Sequence, residues 1–353
     1  MVLITGRRDS VGEPLKPSRL LFADEDEVVA RRANAVFSFG GKSDSRFWLG
    51  NAQSAPELQQ LPIPRPKILQ PINSLTVTSF RDYLKCPYRC YLGRILKLDT
   101  DTLELQELDG GAFGTLIHDV LEDFGKSKIR DSNNAEEILD YLFQRLEFRK
   151  RLNYGGSRLP AVRVQIEQIK LRLQKFAPLQ AQRAADGWKI LSTEQYIEHG
   201  MLVDDEPFVI RGTIERVDIH AVSGAVEIWD YKSADAGDSP DKKHRNKKGW
   251  FDLQLPLYRH LAKEIKELAD ADLKSAGLGY VVLPRELDKC RFEKAYWNAE
   301  LLQSADDEAR RIIRQIRQGN FWPPNRQPPE YSEKFGGICQ DNVFERFDTE
   351  TVA

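Results

Sequence analysis

PFVIRGTIERVDIHAVSGAVEIWDYK, residues 207–232, is the stretch of this chain that decides its fold. Two runs rich in β-branched residues flank a turn signal at Ser223-Gly224, and this pattern predicts two connected strands. If the strands pair antiparallel, Glu215 on the first lies across from Asp230 on the second. The stretch therefore predicts two carboxylates close together on one sheet.

The second predicted strand ends with an acid and a base. Side chains two residues apart in a strand share a face, so Asp230 and Lys232 point to the same volume and Tyr231 points away. A carboxylate beside an ammonium group can hold a metal ion and orient a water molecule. The same spacing is also typical of a surface ion pair, so its meaning depends on the rest of the chain.

Other distinctive segments accompany this strand pair in a definite order. They are SLTVTSFRDYLKCPYRCYLGRILKL at 74–98, GAFGTLIHDVLEDF at 111–124, GTIERVD at 212–218 and QLPLY at 254–258. Over about 185 residues they resemble the RecB-type and AddB-type nucleases of the PD-(D/E)xK superfamily. The opening RRDSVGEPLKPSRLLF, residues 7–22, is similar to the end of the helicase-like region that precedes the nuclease in AddB-type proteins.

The resemblance implies an α/β fold with a restriction-endonuclease-like core: a central mixed β-sheet flanked by helices, with an additional helical region. The hydrophobic periodicity agrees with this fold. It predicts helices over 111–126, 134–151, 159–186, 252–267 and 298–318, and strands over 188–198, 207–219, 225–231, 276–283 and 290–296. We expect an N-terminal extension and connector over 1–70 and a nuclease domain over 71–353.

The resemblance also implies a metal-dependent site that hydrolyses phosphodiester bonds. Glu215 and Asp230 would be carboxylate ligands, with the backbone carbonyl of Tyr231 as an additional ligand and His118 as the imidazole ligand. The cation would be Mg²⁺ or Mn²⁺, and imidazole favours Mn²⁺ because it is softer than carboxylate. Lys232 would orient the attacking water and stabilise negative charge, with a lowered pKa if it is partly desolvated.

Affinity for nucleic acid must come from local clusters, because 52 basic and 54 acidic residues give a net charge of −2. One cluster lies just before the QLPLY segment, and we expect it to contact the DNA backbone, although charge runs are also typical of solvated loops. Gln254 and Tyr258 share one helix face and either contact DNA, orient Lys232 or serve ordinary packing. The basic cluster consists of Lys242, Lys243, Arg245, Lys247 and Lys248.

One position departs from the family pattern. Most similar nucleases have Asp where this chain has Glu215, which extends the carboxylate by about 1.5 Å, whereas metal sites tolerate about 0.2 Å in ligand distance. Asp218 is an alternative ligand only if a bulge reorients it.

Two functions therefore stay open. The first is a metal-dependent DNA nuclease, an exonuclease of recombination or double-strand break repair, with RNA as a more distant substrate. The second is a catalytically impaired, nuclease-like DNA-binding module that serves a helicase subunit.

The four cysteines predict no iron–sulfur cluster. Several relatives bind such a cluster through one cysteine before the nuclease core and three after it, whereas this chain has two before and two after, which predicts reduced structural thiols. No apolar run is long enough to span a membrane, and the N-terminus lacks a secretory pattern, so a cytoplasmic protein without a membrane partner is expected. The cysteines are Cys86, Cys90, Cys290 and Cys339.

Overall fold

A computed structural model describes residues 25–37, 63–68, 70–99, 108–154, 160–234, 237–269, 271–325, 328–329 and 334–341. The chain divides into two units, Met1–Pro62 and Ile63–Ala353. In the first unit the structure describes helix α1 (Asp26–Phe37). Most of the predicted N-terminal extension lies outside the described residues, and the boundary between residues 70 and 71 stays a prediction.

The second unit carries the remaining described elements in an order close to the predicted one. The strands are β1 (Ser74–Thr76), β2 (Trp188–Val203), β3 (Glu206–His220), β4 (Val226–Lys232), β5 (Arg245–Asn246), β6 (Gly249–Trp250), β7 (Gly277–Val282) and β8 (Arg291–Lys294). The helices are α2 (Val77–Lys85), α3 (Pro87–Cys90), α4 (Gly110–Gly125), α5 (Ala135–Tyr154), α6 (Pro160–Ala185), α7 (Pro240–His244), α8 (Gln254–Leu261), α9 (Ala299–Arg317) and α10 (Gly336–Cys339). A π-helical turn, Tyr91–Ile95, follows α3.

The main sheet has six strands and is mixed, as predicted. Strand β3 pairs antiparallel with β2 along one edge, while its other edge is shared by β1, parallel, and β4, antiparallel. Beyond β4 the sheet continues through parallel β7 and antiparallel β8. The predicted central mixed sheet flanked by helices is confirmed.

The alternation of buried residues along β4 explains why helices cover both faces of the sheet. Ile228 packs in a core shared with α2, α8 and α9, whereas Trp229 and Tyr231 pack in a second core shared with α4, α5 and α6. Every residue of β4 except Lys232 is buried, because both faces are covered. The helices α2, α8 and α9 form the first helical layer, and α4, α5 and α6 form the second. Side chains from the two layers can therefore meet only where strands end or separate.

Two glycines permit the local geometry of this sheet. The turn between β3 and β4 passes through Gly224 with φ +68°, a conformation that L-residues with a side chain rarely adopt. A Cβ on Gly212 would lie 2.8 Å from Cγ2 of Val77, so the glycine allows α2 to pack closely on β3.

Among the helices that the structure describes, each is too short or too polar to cross a membrane.

Candidate active site

The site lies where β1 and β4 part along the edge of β3. Strand β1 pairs with residues 209–211 of β3, and the pairing with β4 stops at Arg216 and Trp229. The next residue of β3, Glu215, turns its carboxylate to the separated strand, where Oε2 accepts a hydrogen bond from the Tyr231 N–H at 2.5 Å. A side chain thus replaces a strand-to-strand hydrogen bond, which fixes the carboxylate in the gap.

His118 on α4 meets Glu215 from the second helical layer. Its Nδ1 lies 3.5 Å from Oε1 of Glu215. Burial lowers the pKa of His118, so the ring is neutral at neutral pH and retains a nitrogen lone pair. Only the neutral ring can act as a metal ligand.

Glu194 on β2 completes a group that the sequence analysis did not include. One ligand atom each from His118, Glu194 and Glu215 lies within 4.8 Å of the other two. Burial, followed by the neighbouring charge of Glu122, raises the pKa of Glu194 to about 7. Burial also raises the pKa of Glu215, and the charge of Asp230 adds to the effect.

The backbone explains why Glu194 reaches this position. Glu194 has φ +47°, a left-handed conformation that costs a residue with a side chain about 1–3 kcal/mol. A register shift between Ile190 and Ser192 also disturbs the alternation of β2. Because these features are set by the tertiary structure, a period-two reading of the strand could not reveal them.

Helix α4 packs on β2 immediately beside Glu194. A Cβ on Gly125, the last residue of α4, would lie only 2.2 Å from Cγ2 of Thr193. The glycine therefore sets the distance between the helix that carries His118 and the strand that carries Glu194. A cavity of about 420 Å³, lined in part by Gly110, Gly114, His118 and Glu194, opens next to the group.

Asp230 lies beside this group and is held by the first helical layer. Its Oδ1 accepts hydrogen bonds from Gln254 Nε2 at 3.1 Å and from the Tyr258 hydroxyl at 3.4 Å, while Oδ2 forms an ion pair with Lys232. Tyr258 is only 1% exposed, so it orients Asp230 and does not face solvent. Gln254 is half-buried and donates to the same carboxylate, and among the described residues no hydrogen bond joins Gln254 or Tyr258 to Lys232.

Lys232 carries a firmly protonated ammonium group. Burial lowers its pKa, but the charges of Asp230 and Glu215 outweigh burial and the pKa lies above its ordinary value. The pKa of Lys232 is therefore raised, whereas partial desolvation alone is expected to lower it. The ammonium also lies 5.0 Å from the centroid of the Tyr280 ring, within the range of a cation–π interaction.

The predicted basic cluster forms α7 and the small β5–β6 hairpin. Lys242, Lys247 and Lys248 are exposed, Lys243 is exposed and pairs with Asp238 at 2.9 Å, and Arg245 is half-buried. His244, within the cluster, is buried and ties the segment to the sheet. Its Nδ1 contacts the Asp252 carbonyl at 2.9 Å and its Nε2 contacts the Tyr280 hydroxyl at 2.5 Å.

Asp218 is not available as an alternative ligand. It is fully buried, and its two carboxylate oxygens accept hydrogen bonds from Arg216 at 2.7 and 2.9 Å and from Arg183 at 2.8 Å. Both oxygens are thus engaged by guanidinium groups, and Asp218 is not part of the group that His118, Glu194 and Glu215 form. Asp218 therefore neutralises buried arginines.

The cysteines are free thiols. Cys86, Cys90 and Cys339 are buried, and Cys290 is half-buried. Burial raises the pKa of Cys90 to about 12 and that of Cys339 to about 11, so both stay protonated. The prediction that no iron–sulfur cluster is bound stays a prediction.

The donor set of the group fits a hard or borderline divalent cation. Two carboxylates and one neutral imidazole are ligands that Mg²⁺ and Mn²⁺ accept. Donors on opposite sides of an ion with bonds of about 2.1 Å lie about 4.2 Å apart, so a group within 4.8 Å needs only small side-chain adjustments. Burial raises the pKa of both Glu194 and Glu215, and the neighbouring carboxylates Glu122 and Asp230 raise them further.

The comparison with protein families identifies the class to which this fold belongs. The PD-(D/E)XK nuclease superfamily matches residues 74–340, and the chain belongs to this superfamily. Nucleases of this superfamily use divalent metals, which the group around Glu215 can hold.

Individual proteins are also similar to this chain. An ATP-dependent helicase/deoxyribonuclease subunit of Carboxydothermus hydrogenoformans is 25% identical over 228 residues, which are 60% of this chain and 20% of that protein. The chain thus spans about a fifth of the length of that relative. A crystal structure of a candidate exonuclease from Eubacterium rectale aligns over 72% of this chain and 84% of its own, with 10% identity and a TM-score of 0.42.

Proposed function

We propose that this protein is a metal-dependent DNA nuclease, an exonuclease that hydrolyses phosphodiester bonds during recombination or double-strand break repair. One observation carries the proposal: the His118, Glu194 and Glu215 donors meet beside the Asp230–Lys232 ion pair at the strand split. Phosphodiester hydrolysis needs charge neutralisation and a positioned water, and this site offers groups for both. The membership of the nuclease superfamily supports the same reaction class.

The ligands that we propose are His118, Glu194 and Glu215, with Asp230 and the Tyr231 carbonyl next to them. A divalent cation bound there supplies positive charge that offsets the charge developing on the phosphate. The His118 imidazole favours Mn²⁺ over Mg²⁺.

Lys232 has a role that is separate from metal binding. Its ammonium is held by Asp230 and supported by the Tyr280 ring, so its donors have a defined direction. The group donates a hydrogen bond that orients the attacking water and stabilises negative charge on a phosphate oxygen. Gln254 and Tyr258 act through Asp230 as positioning residues.

DNA is the proposed substrate, and the basic segment 240–250 is its proposed contact. Its exposed lysines lie on the same segment as His244. The His244 imidazole contacts the Tyr280 hydroxyl, and the Tyr280 ring packs against the Lys232 ammonium. The relative from Carboxydothermus hydrogenoformans bears the name of a helicase/deoxyribonuclease component, and for this reason we propose a helicase as the partner. Four free thiols are typical of a reducing compartment, which supports a cytoplasmic location.

A second candidate function is a nuclease-like DNA-binding module with impaired catalysis. The observation that favours it is the hydrogen bond from the Tyr231 N–H to Glu215 Oε2, because this bond competes with metal ligation by the same oxygen. Asp230 also lies outside the three-residue donor group and is occupied by Lys232, Gln254 and Tyr258.

One experiment separates the two functions. Linear single-stranded and duplex DNA, each labelled at one end, are incubated with the protein and Mg²⁺ or Mn²⁺, alongside the Lys232→Ala and Glu194→Gln variants. The nuclease proposal expects degradation by the wild type that both variants lose. Binding without degradation in either metal would establish the impaired module, and degradation that both variants retain would refute the assigned site.

A further inference from the structure

A second cavity lies between α2, the π-helical turn and the described C-terminal residues. Its volume is about 390 Å³, within the range of pockets that hold small ligands. Among its lining residues five are cationic and one is a carboxylate, although the whole chain has a net charge of −2. These residues are Arg81, Lys85, Arg89, Arg94, Lys334 and the carboxylate Asp82.

Neighbouring carboxylates fix several of these cations in place. Asp82 accepts from Arg94 Nε at 2.7 Å, and Lys334 Nζ lies 2.7 Å from Asp99. The Arg94 side chain nevertheless stays 41% exposed, and a guanidinium carries five N–H donors. The ion pair with Asp82 therefore orients the Arg94 guanidinium without using all its donors, whereas Arg89 is held by Asp341.

Arg81 joins this cavity to the nuclease site. Its Nε is buried and lies 3.8 Å from Asp82 Oδ1, too far for a hydrogen bond, while a terminal nitrogen lies 3.6 Å from Asp252. The other Asp252 oxygen accepts from the Gln254 N–H at 2.9 Å, and the Gln254 side chain holds Asp230. The cavity rim is thus two residues away from the carboxylate beside the catalytic lysine.

We propose that this cavity binds a backbone phosphate of the DNA strand, away from the bond that is cleaved. The inference rests on the proposed nuclease function and adds a second place where the substrate strand is held. Guanidinium groups match the planar, two-point geometry of phosphate oxygens, and a concave cationic surface concentrates the attraction. A cavity of this size accepts one nucleotide unit but not a whole duplex, which fits a phosphate of a single strand.

Binding to a single strand of about 20 nucleotides tests the proposal, measured by fluorescence anisotropy over a salt series. The protein carries Lys232→Ala throughout, so cleavage does not interfere. The test variant adds Lys85→Gln and Lys334→Gln, two exposed substitutions. The matched control adds Lys263→Gln and Lys266→Gln, exposed cations on the turns after α8.

The salt dependence is the decisive measurement. Loss of the phosphate contact in the cavity should flatten the log-log slope by about 0.7, which is the contribution of one neutralised phosphate on a single strand. The control should keep the slope of its parent. A slope equal to that of the parent in the test variant, or an equal change in the control, would overturn the assignment.

The same variants distinguish DNA from small phosphate compounds. Calorimetric titration with pyrophosphate asks whether the cavity holds free phosphate groups. Pyrophosphate binding that the test variant loses, with an unchanged DNA slope, would overturn the DNA proposal and make the cavity a small-phosphate site. Because binding is measured without cleavage, failure of the nuclease proposal in the degradation experiment would leave this result independent.

Discussion

The backbone N–H of Tyr231 lies 2.5 Å from Oε2 of Glu215, across the point where β3 and β4 part. The carboxylate therefore has a structural task, because it closes the open end of the strand pair. Its second oxygen faces His118 at 3.5 Å. The longer side chain at this position, compared with the aspartate expected from similar nucleases, is what spans the gap.

Glu215→Asp should weaken the protein in two ways. Withdrawal of the carboxylate by about 1.5 Å leaves a buried N–H unpaired, so unfolding in urea should require about 1–3 kcal/mol less. Mn²⁺ affinity should fall by about 10–100-fold because the donor group opens. The exposed Glu136→Asp is the control, and an unchanged free energy of unfolding in Glu215→Asp would contradict the structural task of this carboxylate.

Metal affinity should rise with pH through about 7, where Glu194 loses its proton. The cation needs the deprotonated carboxylate, so calorimetry should find tighter Mn²⁺ binding at about pH 8 than at about pH 6. In metal-free protein the raised pKa of Glu194 makes the free energy of unfolding fall with rising pH, whereas metal affinity increases. Stability is highest when Glu194 is protonated and is lost as pH rises through about 7.

Glu194→Gln should remove much of both pH dependences, leaving the part that Glu215 contributes. The melting temperature of the metal-free variant should change less between these pH values than that of the wild type. An identical pH profile in wild type and variant would exclude Glu194 from the metal group. Glu136→Gln again serves as the control.

Tyr280→Phe should separate substrate binding from chemistry. The substitution keeps the ring below Lys232 but removes the hydroxyl that holds His244 and the basic segment. We expect KM for DNA to rise by about 2–10-fold with kcat nearly unchanged, whereas Tyr280→Leu should lower kcat as well. Equal kinetic constants in Tyr280→Phe and wild type would show that the segment does not depend on this contact.

Gly125→Ala should disturb the metal group from a distance. The new Cβ would overlap Cγ2 of Thr193, beside Glu194, and such overpacking costs about 1–3 kcal/mol. Adding Thr193→Ser removes the methyl group and should restore part of the stability and of the Mn²⁺ affinity. Gly110→Ala is the matched control, because nothing lies within 4 Å of its added Cβ.

Neutralising the basic segment should weaken DNA binding in a salt-dependent manner. Glutamine at Lys242, Lys243, Lys247 and Lys248 should flatten the log-log slope for duplex DNA by up to about 3.6. Anisotropy in the Lys232→Ala background gives the slope. A slope that keeps its wild-type value would make this segment an ordinary solvated surface.

Much of the fold could be predicted because each element has a local signal. The alternation in 207–219 and the apolar stripe of 111–126 reflect burial on one face, and both elements end within about two residues of their predicted bounds. Glu215 and His118 could be named from the family resemblance, and the structure brings them together.

Other parts of the site had no local signal. Glu194 reaches the group through a left-handed residue and a register shift in β2, which depend on neighbouring strands. The raised pKa of Lys232 depends on Asp230 and Glu215 lying close to it, which only the tertiary structure sets. The burial of His244 inside a basic run likewise requires Tyr280, more than thirty residues later in the chain.

The division of the second unit into two apolar cores has a consequence for folding. His118 comes from the layer of α4 to α6 and Asp230 is oriented by α8 in the opposite layer, so neither layer alone can assemble the proposed site. Recovery of the proposed nuclease activity after dilution from denaturant should therefore lag behind the recovery of helical circular dichroism, and would report the completion of both layers on the sheet.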